Sequence, residues 1–290
     1  DCTEIRKLLR QSKGAELNSI IAQVDEKHSK RIQLLQSKSN EFDDLGEQAR
    51  NIIEEIAKNP QIEAGLITEF PLFNKFYGGI RKGEGVYAIT SPAKAGKSSW
   101  LLEMSKGLLR MNKDLKVLYL DTELSKNNNI FRLAASETGV PCYSYEKGSW
   151  INNESYKKKY RENIDKITSL KGRLYHYRIP NKPMSDVCFL AKKWFYKYVG
   201  RGNKACIILD YFKPGGEKVT ANWAEHQILG EKITMFNELL TTLDIFGWSA
   251  IQTNRNATSG IVDESIISLT SRLQWYCAFN GYLKRKTLEE

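Results

Sequence analysis

The sequence predicts an α/β domain, a parallel sheet with helices on both faces, preceded by a helical linker. Three observations carry that expectation. After Pro60, short apolar runs rich in β-formers alternate with helical patterns. The runs are continuous rather than alternating in polarity, as strands covered on both faces require. The first of them leads through a lysine- and glycine-bearing loop straight into a helical pattern.

Taking the elements in order, residues 1 to 40 are polar and charged, and Leu8, Leu9, Leu17, Ile20 and Ile21 support only short amphipathic helices. This stretch reads as a connector. From Phe42, the apolar positions Phe42, Leu45, Ala49, Ile52, Ile53 and Ile56 recur at three- and four-residue steps until Asn59-Pro60 stops the helix. Its apolar face needs a partner, either its own domain or a neighbouring subunit. The expected division is therefore a linker over 1–60 and a larger domain over 61–290, within what 290 residues can bury.

In the larger part, "GVYAIT", "KVLYLD", "KACIILD" and "WSAIQT" are the expected strands. Residues 98–112, with Trp100, Leu101, Met104 and Leu108 on one face, form the helix after the first strand. Val187, Leu190, Ala191, Trp194 and Tyr198 mark another helix, and residues 228–246 a third.

Composition narrows the function. No run approaches the roughly 20 apolar residues of a membrane span, and the N-terminus lacks the apolar core of a secretion signal, so a cytoplasmic protein with no membrane partner is expected. The chain starts without Met, which reads as an excised or processed piece. Five cysteines, at 2, 142, 188, 206 and 277, form no CxxC and lie apart from the three histidines, so neither a disulfide framework nor a zinc site is suggested. The net charge of +10 is unevenly spread: residues 1–60 hold 10 Lys+Arg against 11 Asp+Glu, and the rest 34 against 23. A basic domain suits a nucleic-acid or polyphosphate partner, or is simply a basic surface.

The loop "SPAKAGKS" follows the first strand and opens a helix, where a phosphate cradle belongs. In a GxxxxGK[ST] loop, backbone N–H groups and the helix N-terminus face the phosphates, the Lys neutralises the outer ones and the hydroxyl ligates magnesium. Ser91, Pro92, Ala93, Lys94, Ala95, Gly96, Lys97, Ser98 and Ser99 are the expected nucleotide-binding residues, with ATP or another NTP or dNTP as ligand and Mg²⁺ beside it. Ser91 stands where the pattern has its first Gly. A serine there tolerates a left-handed turn poorly, and Pro92 is expected to stiffen the loop instead.

Three further strands end in polar residues. Asp210 closes "KACIILD", the place for a carboxylate holding magnesium through water, although an Asp there also serves as a cap or turn residue. Glu123, just past "KVLYLD", can polarise the water that attacks a γ-phosphate, with Asp121 a competing candidate. Gln252 ends the fourth strand, where an amide can sense the γ-phosphate or merely meet solvent. The expected catalytic set is Glu123, Lys97 and Gln252, and the expected metal ligands are Ser98 and Asp210. Ligands of open parallel sheets bind at the carboxyl ends of the strands, which would gather these residues.

The run "GLITEFPLFNKFYGGIRKGEGVYAITSPAKAGKSS" resembles the entry into the RecA-like core of the DnaB-like replicative helicases. "LYLDTELS" is similar to that family's strand ending in the catalytic glutamate, "IILDYF" to its magnesium-aspartate strand and "SAIQTNRN" to its sensor-glutamine strand. The four occur in the family's order between residue 65 and about residue 256, and phosphate loops of the family often lack the first Gly. The opening "DCTEIRKLLRQSKGAELNSIIAQ" more weakly resembles the tail of a primase module in phage primase-helicases and Twinkle-type helicases.

The resemblance implies a homo-hexameric ring that encircles single-stranded DNA and couples NTP hydrolysis to movement, with an upstream primase module as a further partner. It also implies that the helix at about 42–58 docks on the adjacent subunit. Residues 212–223 and 254–265 are the implied DNA loops, with Lys213, Lys218 and Arg255 as DNA-binding candidates and Arg255 alternatively facing nucleotide. The family's arginine finger is matched poorly by Lys284, Arg285 and Lys286, so the finger is expected beyond Glu290, and the chain alone is expected to hydrolyse slowly. Two other readings share these motifs: a recombinase- or clock-type RecA-fold ATPase that forms filaments or rings without unwinding, and a module that has lost hydrolysis.

Overall fold

The structure is a computed structural model that describes residues 45–58, 65–213, 215–217, 225–252 and 275–283. The chain divides after Ile62 into two units. In the first, helix α1 (Leu45–Lys58) matches the periodic stretch, and Leu45, Ile52, Ile53 and Ile56 are exposed on it. Its predicted first turn from Phe42, like the connector before it, lies outside the described residues.

The second unit is built on one six-stranded sheet. In chain order the strands are β1 (Val86–Ser91), β2 (Lys116–Asp121), β3 (Leu174–Arg178), β4 (Ala205–Phe212), β5 (Phe246–Gln252) and β6 (Cys277–Tyr282). Across the sheet the order is β3-β2-β4-β5-β1-β6, and every neighbouring pair is parallel. Parallel strands need crossovers, and helices supply them. Helix α2 (Pro71–Tyr77) precedes β1, and α3 (Lys97–Met111) joins β1 to β2. Helices α4 (Lys126–Thr138), α5 (Cys142–Glu146) and α6 (Glu154–Thr168) lie between β2 and β3. Helix α7 (Met184–Trp194) runs from β3 toward β4, and α8 (Glu225–Leu243) leads into β5.

Successive residues on a strand face opposite ways, and both faces here are apolar. Val86, Ala88, Leu118, Leu120, Ile207 and Leu209 pack with Val187 and Trp194 of α7 and with Ile233, Phe236 and Leu240 of α8. On the other face, Tyr87, Ile89, Val117, Tyr119, Ile208 and Trp248 pack with Leu101, Met104 and Leu108 of α3. The result is a three-layer α/β/α domain, as the continuous apolar runs require.

Three features depart from the sequence expectations. Residues 228–246 are not one helix: α8 stops at Leu243, Asp244 adopts φ 51, and Phe246 already pairs with Cys206 as the first residue of β5. The 187–198 pattern is also broken, because α7 ends at Trp194 and a π-turn over Phe195–Val199 carries Tyr198. Strands β3 and β6 carry no continuous apolar run. They are the sheet's two edges, where one side meets water, and Tyr177 and Arg178 of β3 are exposed.

The "GGI" of the entry segment has a steric reason. Leu66 and Ile80 exchange both backbone hydrogen bonds, at 2.8 and 2.9 Å, which clasps the entry chain beside β1. Gly79 stands in the left-handed region at φ +86, and a Cβ there would lie 2.4 Å from the Leu66 carbonyl oxygen. Only glycine fits. Bidentate pairing of Arg110 with Glu69, at 2.6 and 2.9 Å, ties the same segment to α3. Among the described cysteines, Cys142, Cys188, Cys206 and Cys277 are free thiols, and burial pushes Cys188 and Cys277 up to about 12. No helix among the described residues is long and apolar enough to cross a membrane.

Candidate active site

Strand register alone brings the predicted residues to one edge. Ser91 at the end of β1 is opposite Gln252 at the end of β5, and Asp121 at the end of β2 is opposite Asp210 of β4. Strand β5 separates the β1 loop from β4, so Gln252 stands between the loop and Asp210.

The loop from 92 to 96 folds in a way that removes the difficulty at Ser91. Ser91 is a fully buried strand residue, and the left-handed positions fall at Lys94 (φ 61) and Gly96 (φ 103) instead. The Pro92 carbonyl accepts from Ala95 N–H at 3.4 Å and from the Lys97 ammonium at 3.0 Å. Gly96 forms the N-cap of α3 with no side-chain cap, so the helix's first N–H groups face the loop's concavity. A cradle of this kind favours an anion.

Lys97 is 6% exposed, and its Nζ also lies 3.5 Å from Oε1 of Gln252. Burial lowers its pKa, against which the charges of Asp210 and Glu123 act to raise it. It is a cation held ready for negative charge. Asp210 is 2% exposed, and desolvation raises its pKa to about 6 despite hydrogen bonds from Tyr119 and Ser98 that pull the other way. The Tyr119 hydroxyl donates to Oδ2 at 2.7 Å, whereas Oδ1 is buried with no partner. An orphaned carboxylate oxygen beside the Ser98 hydroxyl fits a hydrated magnesium ion, which keeps several waters and takes few protein ligands.

The raised pKa of Asp210 has a measurable consequence. Because the folded value lies above the ordinary 3.8, its stability penalty is absent at acid pH and grows as pH rises through about 6. Asp210→Asn keeps an acceptor for Tyr119 and removes that penalty. Thermal melts without metal are expected to show the variant more stable by roughly 3 kcal/mol above about pH 7, with the difference gone below about pH 4.

Asp121 and Glu123 separate cleanly. Asp121 is buried, and its Oδ1 accepts from the N–H groups of Glu123 at 2.7 Å and Leu124 at 2.6 Å, while Oδ2 accepts from Asn129 at 2.7 Å. Its oxygens are spent on the turn after β2. Glu123, at the head of that turn, has a side chain 51% exposed and accepts at Oε1 from Lys213 at 2.5 Å and from the Tyr211 hydroxyl at 3.4 Å. Lys213, expected on DNA, is thus ion-paired to the expected base. Lys218 and Arg255 lie outside the described residues, as do the rest of 254–265 and Lys284, Arg285 and Lys286.

Two tyrosines at the site escaped the sequence reading. Tyr119 fixes Asp210 and reaches the Ser98 carbonyl at 3.4 Å. The signal was a phenol inside a buried strand, two residues before Asp121, which needs a polar partner. Tyr211 is flanked by two cations, with Lys97 Nζ 5.4 Å and Lys213 Nζ 5.1 Å from its ring centre.

This fold, with its loop, acidic strand ends and amide at one edge, defines a RecA-like α/β domain. Among solved structures the chain is similar to an isolated ATPase domain, at 16% identity and a TM-score of 0.71, covering 84% of each chain. It is also similar to a DnaB-like replicative helicase described with its interactions with primase, at 14% identity and a TM-score of 0.69. That likeness covers 98% of this chain and 66% of the other. No protein-family model and no curated protein matches the sequence.

Proposed function

We propose that the chain is the motor of an NTP-hydrolysing replicative DNA helicase that moves on single-stranded DNA as a homo-hexameric ring. One observation carries the reading: Lys97, Ser98, Glu123, Asp210 and Gln252 come from four separate strand ends to a single edge, around a helix N-terminus that has no side-chain cap. Lys97 and the loop N–H groups bind the outer phosphates. Ser98 and Asp210 hold magnesium, which neutralises charge developing on the phosphates. Glu123 orients the attacking water and accepts its proton, and Gln252, already 3.5 Å from Lys97, reports the state of the γ-phosphate to the segment after β5.

The DNA, the ring and a primase partner are supported by the likeness to a DnaB-like replicative helicase and by the basic excess after residue 60. The test is equilibrium binding of Mg-ATP together with hydrolysis measured with and without oligothymidylate. Nucleotide binding at micromolar to millimolar ATP and a severalfold stimulation by oligothymidylate are expected. A chain that binds no nucleotide would end this reading. Hydrolysis indifferent to oligothymidylate would leave a RecA-fold ATPase without the DNA.

A further inference from the structure

Lys213 is the first residue past β4 and opens the segment expected to meet DNA. Its position is fixed from both sides. Behind it Tyr211 stacks under its ammonium, and ahead of it Lys232 of α8 donates to the Gly215 carbonyl at 2.5 Å and pairs with Glu217 at 3.5 Å. Glu217 in turn accepts from the Met184 N–H at 2.7 Å, at the start of α7. A segment pinned in this way gives Lys213 few places to put its charge, and the place it takes is Oε1 of Glu123, at 2.5 Å. The two side chains are 29% and 51% exposed, so the pair lies at the rim, open to a third charge.

We propose that Lys213 is a positioning residue that clamps Glu123 while the segment after β4 is empty, and releases it when a nucleic-acid phosphate takes the ammonium. The inference rests on Glu123 being the carboxylate that serves the attacking water. An oxygen that accepts from an ammonium on the strand-end rim is drawn toward that rim. A phosphodiester is a permanent anion whose pairing with Lys is favoured by counterion release, so it competes for the same cation. Pairs this exposed shift an equilibrium by a factor of about 1.4 to 5, so the clamp tunes hydrolysis rather than gating it completely. Coupling is reciprocal: whatever DNA does to Glu123, Glu123 does to DNA affinity.

That reciprocity allows a test in which no turnover is needed. Binding of a fluorescein-labelled oligothymidylate is measured at low salt for the wild type, Glu123→Gln, Lys213→Gln and the double variant. Glu123→Gln is expected to bind about 2- to 5-fold tighter than wild type, and to give no gain where Lys213 is already Gln. An equal gain in both backgrounds, or none in either, overturns the clamp. In parallel, Lys213→Gln should raise DNA-free hydrolysis by about 2- to 5-fold. A residue that only grips DNA would leave that rate unchanged, and such a result also overturns the proposal. If the wild type binds nucleotide and oligothymidylate but the cycle is additive, the clamp alone fails. If it binds no nucleotide, the motor reading fails and takes the clamp with it.

Discussion

Glu123→Gln is expected to leave Mg-ATP affinity within about twofold of wild type and to lower the hydrolysis rate by about 10² to 10⁴, the range typical of a positioned general base. The separation follows from where the side chain sits. Glu123 is on the turn after β2 with half its surface in water, and its contacts are to Lys213 and Tyr211, not to the loop or to the orphaned oxygen of Asp210. Glutamine has the same length and still offers Oε1 to both partners, so the turn has no reason to move. The turn itself is held by Asp121, through the N–H groups of Glu123 and Leu124. Asp121→Asn should therefore behave differently, weakening the turn and lowering the melting temperature. Single-turnover hydrolysis set beside equilibrium nucleotide binding checks the claim. A variant at Glu123 that still turned over at the wild-type rate would strip that residue of its role.

How much of this could be read in the sequence depended on how each residue is specified. Four of the six strands were legible because β1, β2, β4 and β5 are interior and covered on both faces, which forces continuous apolar runs. The edge strands β3 and β6 were not, since one free side permits the His176, Arg178 and Asn280 that interrupt the pattern. The positions of Lys97, Asp210 and Gln252 followed from strand ends, a property of spacing. Their partners did not, because hydrogen bonds between residues 91 apart, such as Tyr119 to Asp210, exist only once the strand order is fixed. Ser91 shows the converse error: a departure from a loop pattern suggested strain, yet the backbone places its left-handed residues at Lys94 and Gly96, where strand β1 has already ended. The choice between Asp121 and Glu123 likewise turned on exposure and occupancy, which no spacing encodes.

Lys97→Ala is expected to weaken nucleotide binding by roughly 10³ while leaving the melting temperature of the unliganded protein near the wild-type value. The first half is Coulombic. A cation about 4 Å from a phosphate charge, in surroundings of effective dielectric near 20, contributes about 4 kcal/mol, or roughly three decades in affinity. The second half comes from what Lys97 does without nucleotide. It is almost fully buried, its neighbours are the Pro92 carbonyl, the Gln252 amide and the Tyr211 ring, and burial depresses its pKa. A desolvated ammonium answered mainly by neutral dipoles adds little to folding, since the cost of its burial offsets those contacts. Its truncation therefore relieves one penalty as it removes the compensating bonds, and the balance is small. Lys97→Arg should fail nearly as badly at binding, because a planar fork cannot occupy the compact site below Gln252. Calorimetric titration with Mg-ATP, alongside melts of the unliganded variants, separates the two halves. Unaltered affinity in Lys97→Ala would mean that the phosphates do not sit at this helix N-terminus at all.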